Sequence, residues 1–204
     1  MSYDYKIIDQ KYHLKGLVNP NVCNQLIKFY EDNKHLTIPE KSYKFNNDMK
    51  DNKTQHDNFN VLNLSFYEAL KNPVDKQNFK NMTEIVLKYL KIVLTNYEIY
   101  VRNTLCPTYQ NIFMHYTDNI RIIKYEVGQH IKDHSDVAET IRGSLTINLN
   151  DDYEGGEFRF FGGQVKLSLS AGEAMLFPGE PLWIHGTEPV TKGTRYAINC
   201  FLRQ

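Results

Sequence analysis

The chain has 204 residues, 41% of them hydrophobic and 24% charged, and its 24 Lys+Arg balance 24 Asp+Glu. One domain spanning residues 1–204 is the expected organisation, and at this length the core is large enough that no disulfide or structural metal is required. Zero net charge weighs against a nucleic-acid coat or an anionic membrane surface, which both call for an excess of Lys and Arg.

The N-terminal segment MSYDYKIIDQ has no basic stretch followed by an apolar one, and no run of 18 uncharged apolar residues occurs, so a cytoplasmic protein without a membrane span is expected. Cys23, Cys106 and Cys200 are widely spaced and form no CxxC pair, which predicts buried thiols rather than a disulfide framework or a zinc site. Asparagine concentrates before residue 120 and glycine after it, dividing the chain into a scaffold over 1–119 and a different structural class over 120–203.

In chain order, Val22, Leu26, Ile27 and Tyr30 follow Asn19-Pro20 at helical spacing and predict a helix over 20–33, capped by Asn19 or Asn21. A second helix is predicted over about 75–96, where residues from Ile85 to Leu94 make a broad apolar face. Between them, Lys44–Asn60 is polar and reads as a solvated loop, with a lid over a substrate as its functional alternative.

After residue 120 the pattern changes to short alternating runs: Arg121–Val127, Ile141–Leu149, Glu157–Phe161, Val165–Leu169, Ala174–Phe177, Leu182–His185 and Thr194–Leu202. Strands at this spacing predict a β-sandwich or barrel, making the chain mainly β with N-terminal helices. In Ile141–Asn150 the odd positions are apolar or small and the even ones polar, so one face packs on a core. The polar face suits either solvent or an internal cavity, and the pattern alone does not choose.

The chemistry concentrates in Tyr125-Glu-Val-Gly128-Gln-His-Ile-Lys-Asp-His134-Ser-Asp136. His134 and Asp136 form an H-x-D pair that an extended segment places on one side. About 0.4 such pairs are expected by chance in this composition, so specificity must come from context. That context is His185, the only later histidine, followed ten residues on by Arg195. Two imidazoles and one carboxylate suit a non-haem Fe(II), because they leave adjacent coordination positions open where a structural zinc site would be filled. Such positions accept a chelating 2-oxo acid and O₂, and the planar guanidinium of Arg195 can grip its far carboxylate, with Tyr125 adding a phenolic donor.

At Tyr125-x-x-Gly128 through His134-x-Asp136, Asn148–Glu157, Ala171–Pro178 and His185 through Pro189-Val190 to Arg195-Tyr196, the sequence resembles the 2-oxoglutarate/Fe(II)-dependent dioxygenases of the prolyl 4-hydroxylase superfamily. The resemblance covers roughly 120–203. It implies a double-stranded β-helix (jelly roll), Fe(II) on His134, Asp136 and His185, and 2-oxoglutarate with its distal carboxylate at Arg195 and Tyr125. The reaction it implies consumes O₂ and 2-oxoglutarate, with ascorbate as a stimulant, hydroxylates a C–H bond and releases succinate and CO₂.

Arg195 in place of lysine, together with Gly155-Gly156-Glu157-Phe158-Arg159-Phe160, resembles the bacterial and phage-type hydroxylases and the oxygen-sensing prolyl hydroxylases more than the collagen-type enzymes. Phe158 stands where collagen-type members usually carry threonine, and Asn148 where oxygen-sensing members usually carry tyrosine.

Arg142, Thr146 and Asn148 on the polar strand face are candidate substrate contacts. His130 reads as an imidazole beside the site rather than a ligand, Glu157 as a turn residue, and Phe177 and Trp183 as core aromatics. The expected substrate is a prolyl or other residue in a protein or peptide. Alternatives are a free amino acid or other small molecule, a nucleobase, for which a second arginine would be expected nearer Arg195 than Arg203, and a non-catalytic metal- and 2-oxoglutarate-holding sensor.

Overall fold

The structure is a computed structural model that describes residues 12–14, 16–40, 59–105, 116–136 and 140–203. The Lys44–Asn60 segment lies almost wholly outside these residues, as do Cys106, His56 and His115.

Helix α1 (Pro20–Asp32) begins where the sequence pattern places it, with the side chain of Asn19 accepting from the backbone N–H of Asn21 and Pro20 in the first turn. Cys23, Leu26 and Tyr30, at spacings of three and four, form its buried stripe. Helix α2 (Pro73–Tyr100) repeats the device with Asn72 and Pro73 and is longer than predicted, burying Phe79, Thr83, Val86, Leu90, Val93 and Tyr97. The hydroxyl of the buried Thr83 donates at 2.8–2.9 Å toward the carbonyls of Leu64 and Phe79.

Twelve strands are present among the described residues: β1 (Tyr12–Leu14), β2 (Ile38–Pro39), β3 (Asn60–Asn63), β4 (Tyr116–Tyr125), β5 (Ile141–Asn148), β6 (Glu154–Gly155), β7 (Phe158–Phe160), β8 (Val165–Leu167), β9 (Ala174–Pro178), β10 (His185–Thr187), β11 (Val190–Lys192) and β12 (Arg195–Arg203). They form a seven-stranded antiparallel sheet in the order β1-β9-β5-β12-β4-β3-β2, a three-stranded sheet β10-β7-β8 and a pair β11-β6. The run Leu182–His185 does not form a strand as predicted: its first three residues lie in a turn and connection, and β10 starts at His185.

The two faces of the large sheet divide the molecule. On the outer face Leu145, Ile147, Ile198, Cys200 and Leu202 join Ile120 and Ile122 and pack against α1 and α2 in the main core. Each such fully buried aliphatic side chain contributes about 1.5–3 kcal/mol relative to exposure. Cys23 and Cys200 are buried thiols within it, neither in a disulfide, and burial pushes the Cys23 thiol up. On the other face, Ser144, Thr146 and Asn148 are also buried, so the polar alternation of β5 turns toward an interior cavity and not toward solvent. The small sheet closes that cavity with Phe158, His185 and Thr187.

Candidate active site in the cavity between the sheets

A cavity of about 260 Å³ is lined by His134, Asp136 and His185, by Arg195, Ala197, Asn199 and Phe201 of β12, by Arg121, Ile123 and Tyr125 of β4, and by Thr146 and Glu40 among others. The odd residues of β12 and β4 meet there because alternate side chains share a face, and Arg195, Ala197 and Asn199 are register partners of Tyr125, Ile123 and Arg121.

His134 and His185 come together through the backbone. The His134 N–H donates to the His185 carbonyl at 2.9 Å, and the His185 N–H returns a bond to the His134 carbonyl at 2.8 Å. Gly186 permits this close approach, because a Cβ there would lie 2.7 Å from the Ile131 carbonyl oxygen and 2.8 Å from an Asp133 carboxylate oxygen. Asp133 is gripped bidentately by Arg159 of β7 at 2.8 and 2.6 Å, which ties the H-x-D segment to the small sheet.

The Nε2 atoms of His134 and His185 lie 3.2 and 3.3 Å from the two oxygens of Asp136. Candidate donor atoms of the three residues all fall within 4.8 Å of one another. Each imidazole turns its Nδ1 to a backbone carbonyl, His134 to Lys132 at 2.8 Å and His185 to Trp183 at 2.9 Å. With Nδ1–H donating there, both Nε2 lone pairs face a carboxylate, an arrangement of acceptors that calls for a cation between them. Adjacent donors on an octahedral ion are about 3 Å apart, so the set fits a hard or borderline divalent metal.

Burial alone would raise the Asp136 pKa, but donation from a protonated Nε2 of His134 and His185, the proton standing where a cation otherwise would, outweighs it and holds the carboxyl well below its usual range. Burial would lower His134, and the Asp136 carboxylate with neighbouring backbone carbonyls reverses that to a net rise. The hydroxyl of Ser144 donates to Asp136 and fixes the carboxylate plane.

Arg195 is only 2% exposed, and no acidic side chain among the described residues lies within ion-pair distance of it. Its Nε donates to Asn148 at 3.2 Å, and its guanidinium carbon sits 5.2 Å from the Tyr125 ring centroid and 4.9 Å from that of Phe158. A buried guanidinium with no carboxylate partner is an anion site, since an uncompensated buried charge is costly. Gly156, at φ +71°, leaves room for it: a Cβ there would lie 3.1 Å from Arg195 Cδ. Burial pushes the Tyr125 hydroxyl up to about 12, so it stays a protonated donor.

Of the remaining candidates, Thr146 lines the cavity but gives its hydroxyl to the Ile198 carbonyl at 3.0 Å. Asn148 lies behind Arg195, its amide also donating to the Leu169 carbonyl at 2.7 Å. Arg142 is not among the cavity's lining residues, nor are His130, Glu157 and Arg203. Phe177 and Trp183 belong to an aromatic cluster with Phe160, and Phe177 packs edge-on against the His185 ring at 4.6 Å. Sequence reasoning missed Ser144, Arg159, Glu40 and Arg121. The alternation along 194–202 does place Ala197 and Asn199 on the face of Arg195, and all three line the cavity.

Residues 120–203 match the family model of the 2OG-Fe(II) oxygenase superfamily. A PKHD-type hydroxylase of Delftia acidovorans is 45% identical over 73 residues, covering 34% of this chain and 29% of that protein. One of a Polaromonas species is 38% identical over 96 residues, 40% of each. The chain thus matches well under half the length of these curated relatives. Among solved structures, a viral collagen prolyl hydroxylase from Paramecium Bursaria Chlorella virus-1 aligns with a TM-score of 0.59 at 16% identity, over 95% of this chain and 96% of that one. A Pseudomonas putida prolyl-4-hydroxylase aligns at 0.58 and 12%, over 98% of both. A Trichoplax adhaerens prolyl hydroxylase in complex with a hypoxia inducible factor peptide aligns at 0.62 and 12%, over 95% of this chain and 83% of that one. Fold, cavity and matching segment converge: residues 120–203 are similar to the 2OG-Fe(II) oxygenase superfamily, and the chain carries the double-stranded β-helix fold of the prolyl hydroxylase structures.

Proposed function

We propose that this chain is an Fe(II)- and 2-oxoglutarate-dependent dioxygenase of the cytoplasm that hydroxylates a C–H bond of a prolyl residue in a protein or peptide. The observation that carries the reading is the pairing, in one cavity, of the His134–Asp136–His185 set with a buried arginine that has no acidic partner among the described residues. The substrate class is supported by the structural neighbours, one named a collagen prolyl hydroxylase and another solved with a hypoxia inducible factor peptide.

In this reading His134, Asp136 and His185 hold the iron, with the Lys132 and Trp183 carbonyls keeping both Nε2 atoms available. When bound, Fe(II) supplies the activation of O₂ that couples conversion of 2-oxoglutarate to succinate and CO₂ with insertion of one oxygen atom into a substrate C–H bond. Arg195 receives the distal carboxylate of 2-oxoglutarate, and Asn148 holds the guanidinium in place through Nε. Tyr125 and Phe158 flank that guanidinium and keep water from it, which strengthens the charge pair. Phe177 holds the His185 ring in its plane.

The test is an anaerobic titration of the apo protein with Fe(II) and then 2-oxoglutarate, followed by O₂. The expected result is a visible charge-transfer band on adding the 2-oxo acid and succinate on admitting O₂. Folded protein that gives neither overturns the reading.

A further inference from the structure

The end of the cavity away from Arg195 carries a second polar group with no part in holding iron or 2-oxoglutarate. Arg121 of β4 donates through one terminal nitrogen to Glu40 at 3.0 Å and through the other to the amide oxygen of its register partner Asn199, and its guanidinium carbon lies 4.9 Å from the Phe201 ring centroid. All four residues line the same cavity as His134, Asp136 and His185. Asn199 is four residues beyond Arg195 on β12, about 13 Å along the strand, so the two arginines serve opposite ends.

The group has donors left over. Arg121 Nε is buried and has no hydrogen-bond partner among the described residues, and with the Asn199 oxygen taken by Arg121, no protein acceptor for the Asn199 amide nitrogen is found among them. Nε is enclosed, so the donors within reach of an arriving oxygen are the second N–H groups of the Arg121 terminal nitrogens and the half-buried Asn199 amide, on facing positions of paired strands along the cavity wall. Glu40 already balances the guanidinium charge. A neutral acceptor adds there without leaving a charge uncompensated, whereas a further carboxylate would make the half-buried cluster net negative.

We infer that Arg121, braced by Glu40, Asn199 and Phe201, is a specificity-determining residue that receives a backbone carbonyl of the peptide substrate next to the residue being hydroxylated. This rests on the dioxygenase reading above and specifies how its substrate is held. Arg121 supplies the direction of the bond, Asn199 the second donor, and Glu40 and the Phe201 ring keep the fork from rotating.

The test uses the iron-loaded protein with 2-oxoglutarate and measures succinate against concentration of N-acetylated, C-amidated Xaa-Pro-Xaa tripeptides and of free L-proline. The wild-type protein is expected to be stimulated by blocked peptides. Arg121→Met is expected to raise the peptide KM about tenfold or more while the KM for 2-oxoglutarate moves by less than about threefold, and Arg121→Lys is expected to recover part of the loss. A Glu40→Gln/Arg121→Met double variant, which leaves no lone charge, takes the place of the single one if that fails to fold. An unchanged peptide KM overturns the inference, and so does stimulation by free L-proline with none by blocked peptides. Absence of both the charge-transfer band and succinate in the wild-type protein would instead overturn the dioxygenase reading on which it rests.

Discussion

The two faces of strand β12 make different demands on the same nine residues. Ile198, Cys200 and Leu202 point to the helix-backed core, where identity matters only through volume and apolarity. Arg195, Ala197, Asn199 and Phe201 point to the other side and line the cavity, two of them charged or polar and one small. β5 repeats the division, with Leu145 and Ile147 on one face and Ser144, Thr146 and Asn148 on the other. Because alternation separates the faces so cleanly, stability and chemistry should be separable by mutation, one residue apart.

The largest effect expected on the cavity face comes from Asp136→Ala, which should abolish iron-dependent succinate formation and weaken Fe(II) binding while leaving the circular dichroism spectrum in place. Retained activity with metal bound would remove Asp136 from the ligand set. Arg195→Leu comes next: loss of a charge-assisted bidentate contact should raise the KM for 2-oxoglutarate on the order of 30-fold or more, with little change in the iron requirement. Steady-state kinetics in the two variables decides it.

The core face should respond in the opposite way. Leu145→Ala, at a side chain with no exposed surface, should cost about 2–5 kcal/mol in denaturant unfolding and leave the 2-oxoglutarate KM nearly unchanged. A large KM change in that variant would show that the two faces are not independent.

The smallest effect belongs to the polar cluster joining the sheet to α1, where the Tyr196 hydroxyl donates to Glu31 at 2.6 Å and Lys124 pairs with Glu31 at 2.9 Å. Tyr196→Phe should cost about 1 kcal/mol. The bonds from Lys124 and Tyr196 hold the Glu31 carboxyl below its ordinary value, so its contribution is present above the unfolded carboxylate pKa and is lost as pH falls through the folded one. Burial and the Glu31 carboxylate push the Tyr196 hydroxyl well above its ordinary value. Its contribution is therefore intact below about pH 10 and lost as pH rises from there through the raised folded-state value. Unfolding free energies across pH should show a plateau between these limits, and Tyr196→Phe should flatten the decline on its alkaline side.

What was readable from sequence follows the same division. Helix α1 announced itself through Asn19-Pro20 and a 3.6-residue stripe, and β5 through eight alternating residues, because in both cases the signal is local. His134, Asp136, His185 and Arg195 were legible as an ordered series of residue types. β1, β2, β3, β6 and β11 were not, since strands of two to four residues are too short to show a period. The Glu40–Arg121–Asn199 group was invisible for a different reason. Its members come from three distant segments, and only the register of β4 against β12 brings two of them side by side. Whether the polar face of β5 looks inward was likewise a tertiary question, answered by the small sheet lying across it.

The reciprocal backbone bonds between His134 and His185 have a consequence for the proposed metal site. The spacing of the two imidazoles is set by this isolated antiparallel bridge, so the proposed socket should keep its shape between one ion and the next. Loading and replacement of the ion should then run at the pace of ligand exchange in solution, without a folding step, and the occupant should be set by which divalent ion the surroundings offer.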